Sequence, residues 1–249
     1  MTCRLCLENK ALIEAHIIPR CLYAPLKHAS GPMMRISRDP GVPPRASHTG
    51  EYDTDILCTD CDNLFSPWDS YACDILLQQL PEQRIKVGPT GQRFYVVGDY
   101  DYTRLKLFVL SVLWRMSVST RPAFRNVKLG PFEGQLRKRL LDKDPGTAKD
   151  FPVFIYRYLD DVGAFTILET RPERLLAMRV YNVGLPGYIG VVKVDRQPLP
   201  IAIGPLVLKP NGPLFIGLRD MQREPEWRLV QQIFGNQQPR SSAKRTKKP

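Results

Sequence analysis

The chain lacks the long apolar segments that mark membrane-spanning and exported proteins. Its longest nearly continuous apolar stretch, Leu105 to Trp114, is interrupted by Lys106 and Ser111, whereas a membrane helix needs about 20 apolar residues. The first ten residues, MTCRLCLENK, contain no apolar core of a signal peptide. We therefore expect a globular protein without a membrane partner, with the cytoplasm as its compartment.

Cysteine is scarce as well, at six residues among 249. A protein of this size with 43% hydrophobic residues can fill an apolar core, so it does not need disulfides as staples. A two-residue gap between cysteines lets one turn direct both sulfurs at a single ion, and four thiolates complete the tetrahedral shell of Zn²⁺. We predict one structural zinc site, with two unrelated pairs or a redox dithiol as the alternatives. Its four ligands are two C-x-x-C pairs, Cys3 with Cys6 and Cys58 with Cys61.

The two cysteines outside these pairs are Cys21 and Cys73. Isolated cysteines that belong to no metal or redox motif usually behave as small apolar residues. We expect both to lie in the core in this way.

The net charge of +11 is unevenly distributed along the chain. Residues 1–70 hold seven basic and nine acidic side chains, so the surplus lies further on, and the last ten residues, RSSAKRTKKP, hold no acidic side chain. A basic surface suits a polyanion, although surplus lysine and arginine also simply solvate a surface. Nucleic acid, in particular DNA, is the predicted partner, and the sequence identifies no protein partner.

Breaks in the apolar pattern divide the chain into two units and a tail. We predict a zinc-binding unit over residues 1–82, a helix plus antiparallel-sheet domain over residues 93–235, and a disordered basic tail over residues 236–249. The segment PEQRIKVGPTGQ, which follows no helical or strand period, separates the two units. The predicted fold class is α+β.

In the first unit, ALIEAHIIPR predicts a short strand around Ile17 and Ile18. Residues 27–53 are rich in proline and glycine and predict a long exposed loop, whose arginines can contact phosphate groups or simply be solvated. Ser66, followed by a proline and then an acidic residue at the third position, predicts the N-terminus of a helix with one buried face.

In the second unit, DYTRLKLFVLSVLWRMSVST predicts a helix that is apolar on nearly all sides and therefore buried. The segment PFEGQLRKRLLDKD predicts a second helix, with Leu136, Leu140 and Leu141 facing inward. Later apolar runs, RLLAMRVYNV and IAIGPLVL among them, predict strands of an antiparallel sheet. A last helix is predicted near Asp220 to Phe234.

Residues 1–70 resemble the zinc-stabilised HNH endonucleases. In that family C-x-x-C, an apolar strand with D-H-I-x-P, an asparagine and L-C-x-x-C-H build one small ββα-metal unit of treble-clef type. Here AHIIP, with His16 ten residues after Cys6, matches the strand motif from its second residue, and ILCTDC matches the run into the second pair. The resemblance implies an HNH-like ββα unit with structural zinc, and a separate Mg²⁺ or Mn²⁺ that takes part in catalysis.

The resemblance also implies roles for individual residues. His16 takes the position of the general base on water, and Asp62 takes the position of the cation-binding histidine after the second pair. Asp53 lies at the position of the central asparagine, and Asn63 is a further oxygen donor. Ala15, where the family has a cation-binding aspartate, departs from the pattern because a methyl group binds no metal.

Two functions follow from these observations. The first is a metal-dependent endonuclease that hydrolyses phosphodiester bonds in DNA, in restriction or phage defence. The second is a catalytically inactive zinc-binding module that binds nucleic acid or serves protein assembly. His16 and the acidic residues around it favour the first, and Ala15 favours the second.

Overall fold

A computed structural model describes the chain at residues 1–23, 33–37, 42–43, 45–47, 50–77, 84–89, 91–159, 166–201 and 203–223. In this part of the chain the fold is α+β, as predicted, and contains three α-helices and 12 β-strands. The helices are α1 (Thr59–Leu76), α2 (Tyr102–Val118) and α3 (Pro131–Leu141). The strands are β1 (Ala15–His16), β2 (Met33–Ile36), β3 (Arg45–Ser47), β4 (Tyr52–Asp53), β5 (Ile85–Val87), β6 (Arg93–Val96), β7 (Val153–Tyr158), β8 (Thr166–Leu168), β9 (Pro172–Leu175), β10 (Met178–Leu185), β11 (Tyr188–Lys193) and β12 (Phe215–Arg219).

In the N-terminal part of the chain, a two-stranded ribbon of β1 and β4 precedes helix α1. Strand β1 pairs antiparallel with β4, and α1 begins six residues after β4 ends. In sequence, β2 and β3 lie between β1 and β4, and they form an antiparallel hairpin. Strand β8 pairs parallel with β2 and so adds a third strand to this hairpin. The prediction of a long exposed loop over residues 27–53 is therefore wrong for Met33–Ile36, Arg45–Ser47 and Tyr52–Asp53, which pair as strands. Residues 27–32, 38–41, 44 and 48–49 of that loop lie outside the described residues.

Helix α1 begins at Thr59 rather than at Ser66, with Cys58 as its N-cap residue and Pro67 inside it. Its buried face starts before the proline, at Cys61 and Phe65, and continues through Trp68. Pro67 removes one backbone donor, but burial of that continuous apolar face outweighs the local start pattern at Ser66.

Helix α2 confirms the prediction of a buried central helix, since every residue from Leu105 to Met116 is buried. It packs against α1 and α3 and also contacts β10 and β11. One continuous apolar core extends from Cys3 through α2 to Ile216. Helix α3 confirms the second predicted helix, and Leu136 and Leu140 face inward as expected, whereas Leu141 is exposed.

The main sheet has seven strands in the order β5-β6-β12-β7-β11-β10-β9. All its pairs are antiparallel except β12 with β7, so the prediction of a purely antiparallel sheet is wrong for this pair. RLLAMRVYNV forms a hairpin rather than one strand, with Leu176 and Ala177 at positive φ in its two-residue turn. IAIGPLVL forms a 3-10 turn at Gly204–Leu206 in place of the predicted strand.

Two predictions lie wholly or largely outside the described residues. They are the basic tail, residues 236–249, and the last helix beyond Arg223, of which only a 3-10 turn at Met221–Arg223 is described. Among the described residues, no helix has both the length and the apolarity required to cross a membrane.

Candidate metal centre and the adjoining His16 site

A tight hairpin presents the first cysteine pair. Thr2 and Asn9 form a β-bridge, and the backbone N–H of Cys3 donates to the carbonyl of Glu8 at 3.0 Å. Between them the chain reverses at Leu7, whose φ of 64° lies in the left-handed region. The hairpin holds the Cys3 side chain in the core and leaves that of Cys6 half-buried.

The second cysteine pair lies where the chain enters α1. Leu12 forms a β-bridge with Cys58, and the backbone N–H of Cys58 points at the Cys3 sulfur, 3.4 Å away. Cys61 follows in the first turn of the helix. These contacts bring together two pairs that stand more than 50 residues apart in sequence.

The four sulfur atoms of Cys3, Cys6, Cys58 and Cys61 all lie within 4.8 Å of one another. In a tetrahedral site with zinc–sulfur bonds of about 2.3 Å, neighbouring sulfur atoms are about 4 Å apart. The cysteine cluster is therefore of the size required to bind a metal such as zinc. Burial raises the pKa of the Cys3 thiol, but backbone N–H groups, chiefly those of Cys6 and Cys58, outweigh it and lower the pKa to about 7. The net effect is the opposite at Cys6 and Cys61, where burial prevails and the pKa of each of these thiols is raised.

Cys21 and Cys73 form a disulfide, with their Cα atoms 6.1 Å apart. The expectation that both are separate apolar residues is therefore wrong. The bridge ties the segment after β1 to the C-terminal half of α1. It links the chain that follows His16 to the helix whose start carries Cys58 and Cys61.

His16 lies on β1 and is half-buried. Its cross-strand partner is Tyr52, whose ring centroid is 6.4 Å from that of the imidazole. Ala15 and Asp53 form the neighbouring cross-strand pair. Because successive residues of a strand point to opposite faces, His16 and Asp53 face opposite sides of the ribbon.

The side chain of Asp53 is fully engaged in hydrogen bonds. It is 1% exposed, and its oxygens accept from Ser119 Oγ and the backbone N–H of Thr120, each at 2.7 Å, and from the backbone N–H of Asp55 at 3.0 Å. Burial raises the pKa of the Asp53 carboxyl, but these donors outweigh it and hold the pKa below its ordinary value. This geometry makes Asp53 an anchor for the C-terminal end of α2 rather than a partner of His16.

Asp62 lies on the face of α1 that is turned towards His16. Asp62, Phe65 and Asp69 share this face because they are three and seven residues apart. Burial raises the pKa of the Asp62 carboxyl, and the positive charges of Arg115 and His16 oppose that rise. Arg115 joins Asp69 of this face to the backbone carbonyl of His16, so this face of α1 lies against β1. Asn63, the next residue, is exposed to solvent.

Arg115, which is 1% exposed on α2, connects this site to the core. Its guanidinium forms a fork with the carboxylate of Asp69, at 3.0 and 2.8 Å, and Nη1 also donates to the backbone carbonyl of His16 at 2.7 Å. It also lies over the ring of Phe65, 5.1 Å from the centroid. Arg115 thus holds β1 and α1 in a fixed relation to each other.

Sequence reasoning missed Arg115. The one indication of its role was a cation within a helix that is otherwise apolar on nearly all sides, since a buried charge requires a partner. Among the residues that the structure describes, the cysteine cluster is the one group of three or more His, Cys, Asp and Glu side chains with ligand atoms close enough to bind a metal. His16, Asp62 and Asp69 do not form a second compact site of this kind.

Comparison with known proteins gives no relative: no family model, no curated protein and no solved structure significantly matches this chain.

Proposed function

We propose that the chain is a zinc-stabilised, metal-dependent endonuclease of HNH type that hydrolyses phosphodiester bonds in DNA. The supporting observation is the placement of His16 and Asp62 on two elements that Arg115 joins. The imidazole is on β1, and the carboxylate is on α1 directly after Cys61 of the cysteine cluster. A role in restriction or phage defence rests on the resemblance alone.

In this proposal Zn²⁺ is structural and is bound by Cys3, Cys6, Cys58 and Cys61. The cysteines come from the N-terminal hairpin and from the start of α1, so one ion would join that hairpin to the helix. Elemental analysis of the purified protein should find about one zinc per chain. Cys58→Ser should lose both the zinc and thermal stability, and retention of both would contradict the zinc assignment.

His16 acts as the general base that takes a proton from the attacking water, because imidazole is the side chain best suited to accept a proton near neutral pH. Asp62, with Asn63 beside it, would hold Mg²⁺ or Mn²⁺. Mg²⁺ commonly binds through one or two carboxylates, several waters and the phosphate of the substrate. A compact set of three protein ligands is thus not required before DNA binds. When bound, the cation would stabilise negative charge on the phosphate and the leaving oxygen.

Arg115 is a positioning residue in this proposal. Its hydrogen bond to the His16 carbonyl and its fork with Asp69 fix the strand that bears the base against the helix that bears Asp62. Asp69 is occupied by Arg115 and is therefore not assigned as a cation ligand.

Specific observations favour the second candidate, an inactive zinc-binding module for nucleic-acid binding or protein assembly. Ala15 supplies no ligand, and the oxygens of Asp53 are engaged on the other face of the ribbon. The two candidates differ in whether any cation-dependent cleavage occurs.

Plasmid nicking separates them. The wild type should require Mg²⁺ or Mn²⁺, and Asp62→Asn should need a higher cation concentration than the wild type. Asp60→Asn is the matched control, because Asp60 is the same residue type on the same helix turn but is exposed and pairs with Lys10. Zinc content and melting temperature must be unchanged in both variants. Absence of cleavage with either cation would leave the binding module as the function.

A further inference from the structure

A cavity of about 420 Å³ lies at the β2–β3 hairpin and is lined by four arginines. We call it the arginine pocket; its arginines are Arg35, Arg45, Arg121 and Arg125. The first two come from the segment between β1 and β4, and the other two flank the 3-10 turn that follows α2. None of them belongs to the motif by which the chain resembles the HNH endonucleases.

The arginines form two like-charged pairs. Arg35 and Arg45 are direct cross-strand partners in the β2–β3 hairpin, so their side chains lie on the same face. Arg121 and Arg125 stand four residues apart around a helical turn. Like charges in such positions destabilise a fold. An anion in the pocket would reduce this repulsion.

The two carboxylates in the pocket wall have partners of their own. Glu51 accepts from Arg35 Nη1 at 2.7 Å, and Glu169 accepts from Ser37 Oγ at 2.5 Å and from Asn126 Nδ2 at 3.2 Å. Among the described residues, Arg45 and Arg121 form no ion pair with a carboxylate. The pocket therefore keeps positive charge that its own acidic residues do not neutralise.

Aromatic rings orient the guanidinium groups and connect the pocket to the His16 site. Arg35 lies over the ring of Phe124, at 5.2 Å from the centroid, and Arg121 lies over the ring of Tyr52 at 5.4 Å. Tyr52 is also the cross-strand partner of His16. A ligand held by Arg121 thus lies next to the residue that contacts the proposed base.

We propose that the arginine pocket binds the phosphate backbone of one polynucleotide strand and directs that strand towards His16. Guanidinium groups bind phosphate through paired N–H donors, and a planar group stacked on a ring loses little freedom when it does so. The pocket volume of about 420 Å³ is within the range of ordinary ligand sites. The direction towards His16 rests on the proposed function, whereas binding itself does not.

The test measures binding of a fluorescein-labelled 20-base-pair DNA by anisotropy, with the full chain, in buffer without Mg²⁺ or chelator. The test variant is Arg45→Gln with Arg121→Gln, and the matched control is Arg84→Gln with Arg93→Gln, two exposed arginines remote in sequence from the pocket. Each lost phosphate contact should lower the slope of log K against log salt by about 0.9. We expect a slope lower by roughly 2 and at least about tenfold weaker binding for the test variant, with little change for the control.

The melting temperature serves as the folding control. Removing one arginine from each like-charged pair relieves repulsion, so the test variant should melt no lower than the wild type. Inorganic phosphate should raise the melting temperature of the wild type more than that of the test variant.

Three results would overturn the proposal. They are equal losses of DNA affinity in the test and control variants, unchanged DNA affinity in the test variant, and loss of phosphate stabilisation while DNA binding is unchanged. The last would identify a site for a small phosphate compound. If the wild type cleaves no DNA but the expected difference in binding is found, the pocket stands and the endonuclease function fails.

Discussion

The ion pair between Arg115 and Asp69 should be among the most costly interactions of the fold to disrupt. The Arg115 side chain is 1% exposed, and the Asp69 side chain that pairs with it is 18% exposed. Arg115→Met leaves the Asp69 carboxylate without its partner and the His16 carbonyl without its donor. Removing one member of a buried pair costs about 3–5 kcal/mol, a large share of a total stability of about 5–15 kcal/mol.

Urea denaturation at a fixed, saturating zinc concentration measures this cost. A double variant, Arg115→Met with Asp69→Leu, should be more stable than Arg115→Met alone, because replacing both charges by apolar groups leaves no unpaired charge. The surface pair of Lys10 with Asp60, at 3.0 Å and with side chains 39% and 76% exposed, is the comparison. Asp60→Ala should leave the urea midpoint almost unchanged, because solvent screens an exposed pair.

The reasoning would be refuted if Arg115→Met cost less than about 1 kcal/mol, the typical value of an exposed pair. It would also fail if the double variant lost as much stability as the two single variants together, since coupled partners do not add.

Three further predictions concern groups in other parts of the fold. Asp53→Asn should lower the free energy of unfolding by about 1–3 kcal/mol. Because the pKa of the Asp53 carboxyl is lowered in the folded state, the difference from the wild type should be present above about pH 4 and shrink as the pH falls below it. Equilibrium unfolding at several pH values measures this difference. Burial lowers the pKa of Lys106 to about 7. Between that pH and about pH 10.4, the folded state therefore binds fewer protons than the unfolded state. The free energy of unfolding of the wild type should rise with pH across this window, and that of Lys106→Met should lack this rise. A thiol assay on the denatured, zinc-free protein should find four free thiols rather than six, because Cys21 and Cys73 are bridged; six thiols without reductant would contradict the bridge.

The parts of the fold that the sequence predicted correctly depend on local patterns. Helix α2 is apolar on nearly all sides, and such a segment can only be buried. The C-x-x-C spacing similarly limited the geometry of each cysteine pair, and the structure brings all four sulfurs together. The presence of zinc in this cluster stays a prediction.

The parts that were missed depend on contacts between distant residues. The pairing of β12 with β7 and of β8 with β2 joins segments far apart in the chain, and neither leaves a local pattern. The β9–β10 turn was missed for a different reason. Its central residues, Leu176 and Ala177, adopt positive φ without the asparagine or glycine that usually marks such a turn.

The candidate site shows the same division. The motif identified His16. The two hydrogen bonds between Arg115 and Asp69, in contrast, depend on the packing of α2 on α1, which no local pattern in the sequence shows. The assignment of Asp53 followed from its position in the motif. The β1–β4 register, which the sequence alone does not reveal, turns its side chain away from His16.

The most direct test of the central claim, that His16 is the base of a phosphodiester-cleaving site, is single-turnover DNA cleavage by zinc-loaded His16→Ala, with and without added imidazole. The wild type should cleave only with Mg²⁺ or Mn²⁺, and the variant should be slower by about 10²–10⁴-fold. Added imidazole should restore part of the rate, while DNA affinity, zinc content and melting temperature remain those of the wild type. A wild type that cleaves no DNA with either cation, or a His16→Ala variant that cleaves as fast as the wild type, would contradict the account.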